Sequence, residues 1–339
     1  MTDLLYPTNA ELREIAADRL PRLVQQRPIF DVMPMREVDN FLVMWEQEDN
    51  YQGLQQVRGL NGEAPKVIKT GVKRWQMQPG VYGEYELIDE IEMTVRRTPG
   101  SFGGVVDVRD LALKAQRKLL VRRLDRIESI IWTLLGTGTF SVAGPAGAIL
   151  HTDSYTVPTF TAAVSWATAA TATPLADFRA VQVLGRGHSV NFGAGALAFM
   201  NLPTFNKLIA NTNNADIYGR RTAGLGTFNS PSQVNQLLAG DNLPTLVIYD
   251  EGYLAEGTGT FTPFIADNVV IVVGKRADNA PIGAYQMVRN ANNPGFAPGP
   301  YMQIIDNLGN DIPRQIQVHD GHNGGPAIMF PSAIVKMAV

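Results

Sequence analysis

Two imidazoles and a carboxylate fall within four residues at His319-Asp320-Gly321-His322, the densest set of side chains here that could hold a metal or move a proton. Zinc usually takes its ligands from more than one element, and no further ligand lies nearby in sequence. With glycine inside it and Gly324 and Gly325 after it, the stretch is expected to be a solvent-exposed turn without metal. His151 and His188 stand alone, with no Ser or Asp pattern to suggest a triad, and are expected at polar loop positions. A phosphate cradle needs a strand, a glycine-rich loop and a helix in that order. Gly185-Arg186-Gly187 sits where a helix should end, and Gly224-Leu225-Gly226 follows Arg220 and Arg221 in an apparent loop. Gly274-Lys275-Arg276 lacks the rest of a Walker loop. No catalytic residue or cofactor site is therefore assigned.

The 339 residues include no cysteine, which excludes disulfides, thiolate catalysis and Cys-ligated metal. With 45% hydrophobic and 18% charged residues the chain has ample material for a core, and 32 Gly and 21 Pro point to many turns. A net charge of -3 is not the basic footprint of a DNA reader. No apolar run approaches the ~20 residues of a membrane span, and the first residues lack a signal-peptide pattern. A soluble protein, made and used in the cytosol, is expected.

The elements that would position any site begin with a helix from Asn9 to about Leu20, capped by Thr8 and Glu11 and ended by Pro21. An extended arm follows, with Phe41 to Trp45 as a strand. Residues 53–98 then read as two strands around the type II turn signal Gln78-Pro79-Gly80-Val81. Lys66, Lys69, Lys73 and Arg74 precede the turn, and Glu84, Glu86, Asp89, Glu90 and Glu92 follow it. A hairpin register closing at that turn sets Lys73 opposite Glu86, Lys69 opposite Glu90 and Arg74 opposite Tyr85, at ~0.2–1 kcal/mol per pair. A two-stranded ribbon this long implies that it rests on a neighbour, the alternative being an ordinary hairpin at the edge of this chain's own sheet.

Residues 108–135 contain no Gly or Pro and form the longest expected helix, roughly 40 Å at ~1.5 Å per residue. Asp107 caps it, Val106 staples against Leu111, and Gly136 and Gly138 stop it. Leu113, Leu120, Leu124, Ile127, Ile131 and Leu134 make its apolar stripe. Lys114, Arg117, Lys118, Arg122, Arg123 and Arg126 make a basic face, assigned first to neighbouring acids and only second to DNA. Beyond it, helices at 174–184, 203–210 and 231–240 alternate with strands at 197–200, 245–249 and 269–273. Residues 277–300 are mostly loop. Strands near 301–305 and 312–318 and an apolar end at 327–339 close the chain.

Three quoted stretches carry a resemblance. They are Arg74-Trp75-Gln76-Met77-Gln78-Pro79-Gly80-Val81 leading into Glu86-Leu87-Ile88-Asp89, the helix from Arg109-Asp110-Leu111-Ala112 to Arg123-Leu124-Asp125-Arg126-Ile127-Glu128, and Asn206 to Asn211 followed by Tyr249-Asp250, Tyr253, Gly257 and Phe264-Ile265. In order and spacing they resemble the major capsid proteins of tailed bacteriophages with the Hong Kong 97-type (HK-97) fold, and most closely the lambda-type major capsid protein E family. The likeness runs from about residue 27 onward.

The resemblance implies an α+β fold with an N-arm (1–50), an E-loop (51–98), a P-domain (99–162) with a spine helix, an A-domain (163–299) and return strands (300–339). It implies a structural head protein, not an enzyme, that self-assembles through pentamers and hexamers into an icosahedral shell around double-stranded DNA. Scaffolding, portal and decoration proteins would be its other partners, and the virion capsid its location after assembly in the host cytoplasm. Inter-subunit contacts are then expected from the E-loop residues Lys69, Lys73, Arg74, Trp75, Glu84, Glu86, Asp89, Glu90 and Glu92. Some relatives cross-link subunits through Lys and Asn, but no position here matches a motif for that, and Lys69 and Lys73 qualify by location alone. An encapsulin-like cellular shell and a soluble metal-dependent enzyme are the alternatives.

Overall fold

The computed structural model describes residues 7–48, 54–66, 72–95, 108–144, 147–188, 190–211, 230–276, 278–307 and 313–339. The chain opens with α1 (Asn9–Gln25), whose capping box joins Thr8 to Glu11 as expected. Pro21 does not end it: Leu20, Leu23 and Val24 on both sides of the proline pack on the core and carry the helix one turn further. Next come α2 (Ile29–Val32), β1 (Met35–Glu37), β2 (Val43–Glu48), β3 (Val72–Met77), β4 (Gly80–Ile88) and α3 (Glu90–Val95). The arm between Pro28 and Pro34 thus holds a helical turn with Ile29, Phe30 and Val32 buried, where an extended chain was expected.

The central element is α4 (Val108–Thr137), 30 residues long. Asp107 and Val106 lie outside the described residues. Gly136 stays helical, and the stop is Gly138 at φ +74°, where a Cβ would come within 2.6 Å of the Tyr155 carbonyl oxygen. Its buried face is broader than the predicted stripe. Leu113 is only half-buried, whereas Gln116, Arg123 and Glu128 are buried among the leucines and isoleucines.

After α4 follow β5 (Thr139–Ala143), β6 (Ile149–Ser154), β7 (Thr159–Thr161), α5 (Pro174–Leu184), β8 (Val190–Asn191), β9 (Leu197–Met200), α6 (Leu202–Ala210), α7 (Pro231–Gly240), β10 (Thr245–Ile248), β11 (Gly252–Leu254), β12 (Phe261–Pro263), β13 (Val269–Val273), β14 (Lys275–Arg276), β15 (Gly283–Met287), β16 (Tyr301–Asp306), β17 (Ile316–Ile328) and β18 (Ile334–Ala338). One sheet runs β1-β15-β17-β16, with β4 also paired to β17. The other runs β10-β9-β13-β18-β7. Residues from both sheets and from α2 and α4 share one hydrophobic cluster, and α5, α6 and α7 contribute to a second against the β9–β13–β18 sheet.

Three expectations fail here in whole or in part. The predicted hairpin does not form: β3 pairs antiparallel with β2, setting Arg74 opposite Glu46, and β4 pairs with β17 over nine residues, from Gly80↔Gly324 to Ile88↔Ile316. A type II turn matches strand twist poorly, and each strand finds a better-matched partner elsewhere. The strand after the turn also ends at Ile88, and Glu90 and Glu92 open α3 instead. Second, the loop expected at 277–300 contains β15, every residue of which is buried. Third, His319-Asp320-Gly321-His322 lies inside β17, a 13-residue strand with partners on both edges. Its glycine reflects close packing: a Cβ on Gly321 would meet the Tyr301 ring at 2.7 Å.

One interaction ties these parts together. Glu128, fully buried on α4, accepts from Arg27 Nη1 at 2.6 Å, from Trp132 Nε1 at 3.1 Å and from the Tyr249 hydroxyl at the end of β10. Arg27 Nη2 also reaches Asp125 Oδ1 at 2.5 Å. Removing one partner of such a buried pair leaves the other charge unanswered. Glu128→Ala is therefore expected to lower stability to urea by about 3–5 kcal/mol, and Glu128→Gln by less, because an amide oxygen still accepts from Trp132 and Tyr249.

Candidate functional site

Strand alternation turns Tyr82, Glu84 and Glu86 of β4 to one side, and the i, i+4 rule puts Lys118, Arg122 and Arg126 on one side of α4. Two strand residues span ~6.8 Å and four helical residues ~6 Å, so the rows can match rung by rung. Lys118 Nζ meets Glu86 Oε1 at 3.1 Å, and Arg122 Nε meets Glu84 Oε2 at 2.5 Å. Arg122 also reaches Glu256, beyond β11, at 3.5 Å. At the third rung Tyr82 stands where a carboxylate would be needed, and Arg126 forms no ion pair among the described residues. Lys114 closes on Asp110 of its own helix at 2.5 Å. The basic face is thus answered largely by acids of this chain, and Arg123 leaves it altogether.

Arg123 is buried beneath the ladder and holds Asp320 through Nη1 and Oδ1 at 2.5 Å, their side chains 6% and 3% exposed. Two residues along β17, His322 is stacked on Tyr82 at 5.1 Å between ring centroids, and its Nε2 is 2.9 Å from the Tyr285 hydroxyl. On the other face His319 stacks on Tyr85 at 5.2 Å. The predicted exposed turn is a buried polar cluster; among the described residues no three His, Cys, Asp or Glu side chains are placed to share an ion. Arg123, Asp320 and His322 line a cavity of about 350 Å³ with Val81, Tyr82, Glu84 and Arg126.

The other predicted contact residues scatter. Lys69 lies outside the described residues, as do Arg220, Arg221 and the Gly224 loop. Lys73 is exposed on β3, and Arg74 pairs with Glu46 at 2.8 Å. Trp75 stacks on Tyr155 at 5.3 Å, beside Trp45. Asp89 Oδ1 accepts from the Glu92 amide at 2.8 Å and so caps α3. His151 is on β6, not in a loop, with Nε2 at 2.8 Å from the Gln78 carbonyl oxygen. Gly185 caps α5 as read. Sequence reasoning missed Arg123 and Glu128, although a signal existed: 119-123-127 and 120-124-128 are i, i+4 rows through the apolar stripe, and a charge in such a row needs a buried partner.

No protein-family model matches the sequence, and no curated protein matches it. Among solved structures, a phage-related protein from Bordetella bronchiseptica RB50 superposes with a TM-score of 0.58 at 9% identity, over 98% of this chain and 97% of that one. A protein assigned as the capsid protein of a prophage of E. coli CFT073 superposes with a TM-score of 0.54 at 15% identity, over 79% of each chain. The chain has the HK-97-type capsid fold. In this HK-97-type fold the long helix packs against β4 and β17, and the buried cluster is the layer of side chains between them.

The chemistry open to that layer is restricted. Tyr285 and His322 have the hydrogen bond of a nucleophile and its base, but burial raises the phenol well above its ordinary pKa. Burial, with Arg123 and Arg126 nearby, pushes the imidazole down to about 3. Both shifts oppose proton transfer between them. Burial also pushes the Asp320 carboxyl up to about 6, against the pull of Arg123.

The two shifts act oppositely on stability. Between about pH 4 and 6 folded Asp320 keeps a proton that the unfolded chain has lost, so its contribution falls as pH rises. From about pH 3 to 6.5 unfolded His322 holds a proton that the folded chain lacks, so its contribution rises with pH. They cancel between about pH 4 and 6. His322→Gln removes one side of the balance. Relative to the parent, its urea stability is expected to increase by about 1.4 kcal/mol per pH unit as pH is lowered from about 6 to 4, and a constant difference would refute the assignment.

Proposed function

We propose that the chain is the structural subunit of a bacteriophage capsid, assembling through pentamers and hexamers into an icosahedral shell around double-stranded DNA. The observation that carries this beyond fold likeness is the segment 54–66. All its residues are exposed, it holds no helix or strand, and Leu54, Val57 and Leu60 are each more than nine-tenths exposed. Apolar side chains held off the body of their own subunit fit a surface completed by another one. Ile149 and Leu150 on the β5–β6 ribbon, and Leu254 and Phe261 on the β11–β12 ribbon, add two further exposed apolar tips.

In this reading 1–50 is the N-arm, 51–98 the E-loop, 99–162 the P-domain with its spine, 163–299 the A-domain and 300–339 the return strands. Within the E-loop, Lys69, Lys73, Glu90 and Glu92 are the contacts toward neighbours, while Trp75 packs on its own Tyr155 and Asp89 caps its own α3. Glu84 and Glu86 hold the strand on its own helix, and Arg74 serves the β2–β3 ribbon. The pairing of Lys118 and Arg122 with acids, and the overall charge of -3, suit a wall that does not grip phosphates. Scaffolding, portal and decoration proteins are the expected partners, and the head of the virion, built in the host cytoplasm, is the expected location. No helix among the described residues is long and apolar enough to cross a membrane.

Electron microscopy of the purified protein is expected to show closed shells. Replacing Leu54, Val57 and Leu60 together by Ser should leave circular dichroism and Tm unchanged but abolish closure. Closed shells from the triple variant would remove the arm from assembly, and a parent protein that stays a small oligomer would overturn the proposal. Nuclease-protected DNA in the particles distinguishes a phage head from an encapsulin-like compartment filled with protein cargo.

A further inference from the structure

Asparagine followed by glycine occurs twice in the chain, at Asn61-Gly62 and at Asn323-Gly324. An asparagine in this setting can react with its own backbone, because glycine puts no Cβ beside the amide nitrogen that must reach the side-chain carbonyl carbon. The sequence treats the two sites alike, and the fold does not. Asn323 lies inside β17, where its Nδ2 donates to the Arg289 carbonyl oxygen at 2.9 Å and its own carbonyl oxygen accepts from the Val288 amide at 2.9 Å. Gly324 is buried, paired with Gly80 on one edge and Met287 on the other. Its nitrogen cannot turn toward Asn323 Cγ without breaking the sheet. Asn61, by contrast, is exposed in the segment 54–66, and its side chain has no hydrogen-bond partner among the described residues. Asn61 sits at φ +67°, in the left-handed region that asparagine tolerates, and the Gly62 amide donates to the Gly59 carbonyl oxygen at 3.0 Å. That is the one backbone hydrogen bond of the segment among the described residues, and a lone bond in an exposed loop opens at little cost.

From this contrast we propose that Asn61 is a site of spontaneous deamidation in the unassembled subunit and that Asn323 is not. The Gly62 nitrogen, its proton passed to solvent, bonds to Asn61 Cγ. The Cγ–Nδ2 bond breaks, and Nδ2 takes a proton from solvent and leaves as ammonia. Water then opens the cyclic imide: attack at Cγ gives aspartate, and attack at the main-chain carbonyl gives isoaspartate, whose backbone runs through the former side chain. In total one water is consumed and one ammonia released. Either product puts a carboxylate beside Leu60, and the second also lengthens the turn by one carbon. On the reading of 54–66 as an arm that another subunit covers, on which this consequence rests, burying the new charge opposes closure. A subunit left unassembled thus loses its fitness for the shell with time.

The chemistry is tested on the subunit fraction of the full chain, separated by size exclusion, so it does not depend on the outcome for shells. After incubation at mildly alkaline pH, trypsin cutting at Arg58, Lys66, Arg314 and Lys336 puts the two asparagines on separate peptides, 59–66 and 315–336. Mass spectrometry is expected to show the amide-to-acid mass gain on 59–66, as two chromatographically separable products, with 315–336 no different from an unincubated control. In urea, where the fold no longer protects Asn323, both peptides should gain it at similar rates. Gly62→Ala should keep the parent Tm and slow the reaction at Asn61 several-fold, because its Cβ stands beside the attacking nitrogen. An unmodified 59–66 at a time when urea has converted it, equal conversion of both peptides in the native subunit, or a lone aspartyl product would each overturn the proposal. Asn61→Asp is expected to give fewer closed shells than the parent. Parental yield from it would overturn the effect on closure, while the arm itself is judged by the Leu54, Val57 and Leu60 variant.

Discussion

Glu128 has no exposed surface, and it sits two-thirds of the way along a 30-residue helix. Burying a carboxylate there is unfavourable unless its oxygens are fully answered. Two answers come from far apart in the chain, Arg27 beyond α1 and Tyr249 at the end of β10, and a third from Trp132 one turn along α4. The two distant ones each bring their own segment to the helix in one orientation. The rest of the core is apolar and could tolerate small slips. This cluster cannot, so it fixes how the N-terminal segment and the β10 sheet meet the spine.

The seam between β4 and α4 works by a different rule. Its ion pairs are half-exposed, and such pairs individually contribute about 0–1 kcal/mol. What they provide is register. The strand's two-residue repeat and the helix's four-residue repeat nearly coincide for two rungs. A slip of β4 by one residue would turn both acids away from the helix, so modest energies suffice to select one alignment.

The contrast between what could and could not be read from sequence follows from this. Elements with strong local signals were legible: the Thr8–Glu11 capping box, the helices at 174–184 and 231–240, and the uninterrupted helix 108–135. The order of these parts also pointed to the right fold. Strand partnership was not legible, because it depends on contacts distant in sequence. The acids of β4 match the basic residues before Pro79 as well on paper as they match α4, and only three-dimensional packing chooses. The polar cluster was misread for a related reason. Glycines in β17 are the signature of a turn locally, but here they make room for Tyr301 and Tyr285 across the sheet.

The division of labour at Pro79 has a mechanical consequence. Upstream, β3 belongs to a two-stranded ribbon with β2. Downstream, β4 lies along β17 for nine residues. Tension drawn along the backbone from the 54–66 segment passes through β3 and enters β4 at Gly80, end-on to that ladder. In this direction the inter-strand bonds are strained together, in shear, rather than opened one after another like a zipper. The arm is thus fastened to the subunit end-on at this ladder, while its own ribbon is held to the body by Trp45 and Trp75 stacking on Tyr155 and by Val43 and Met77, buried with Val288.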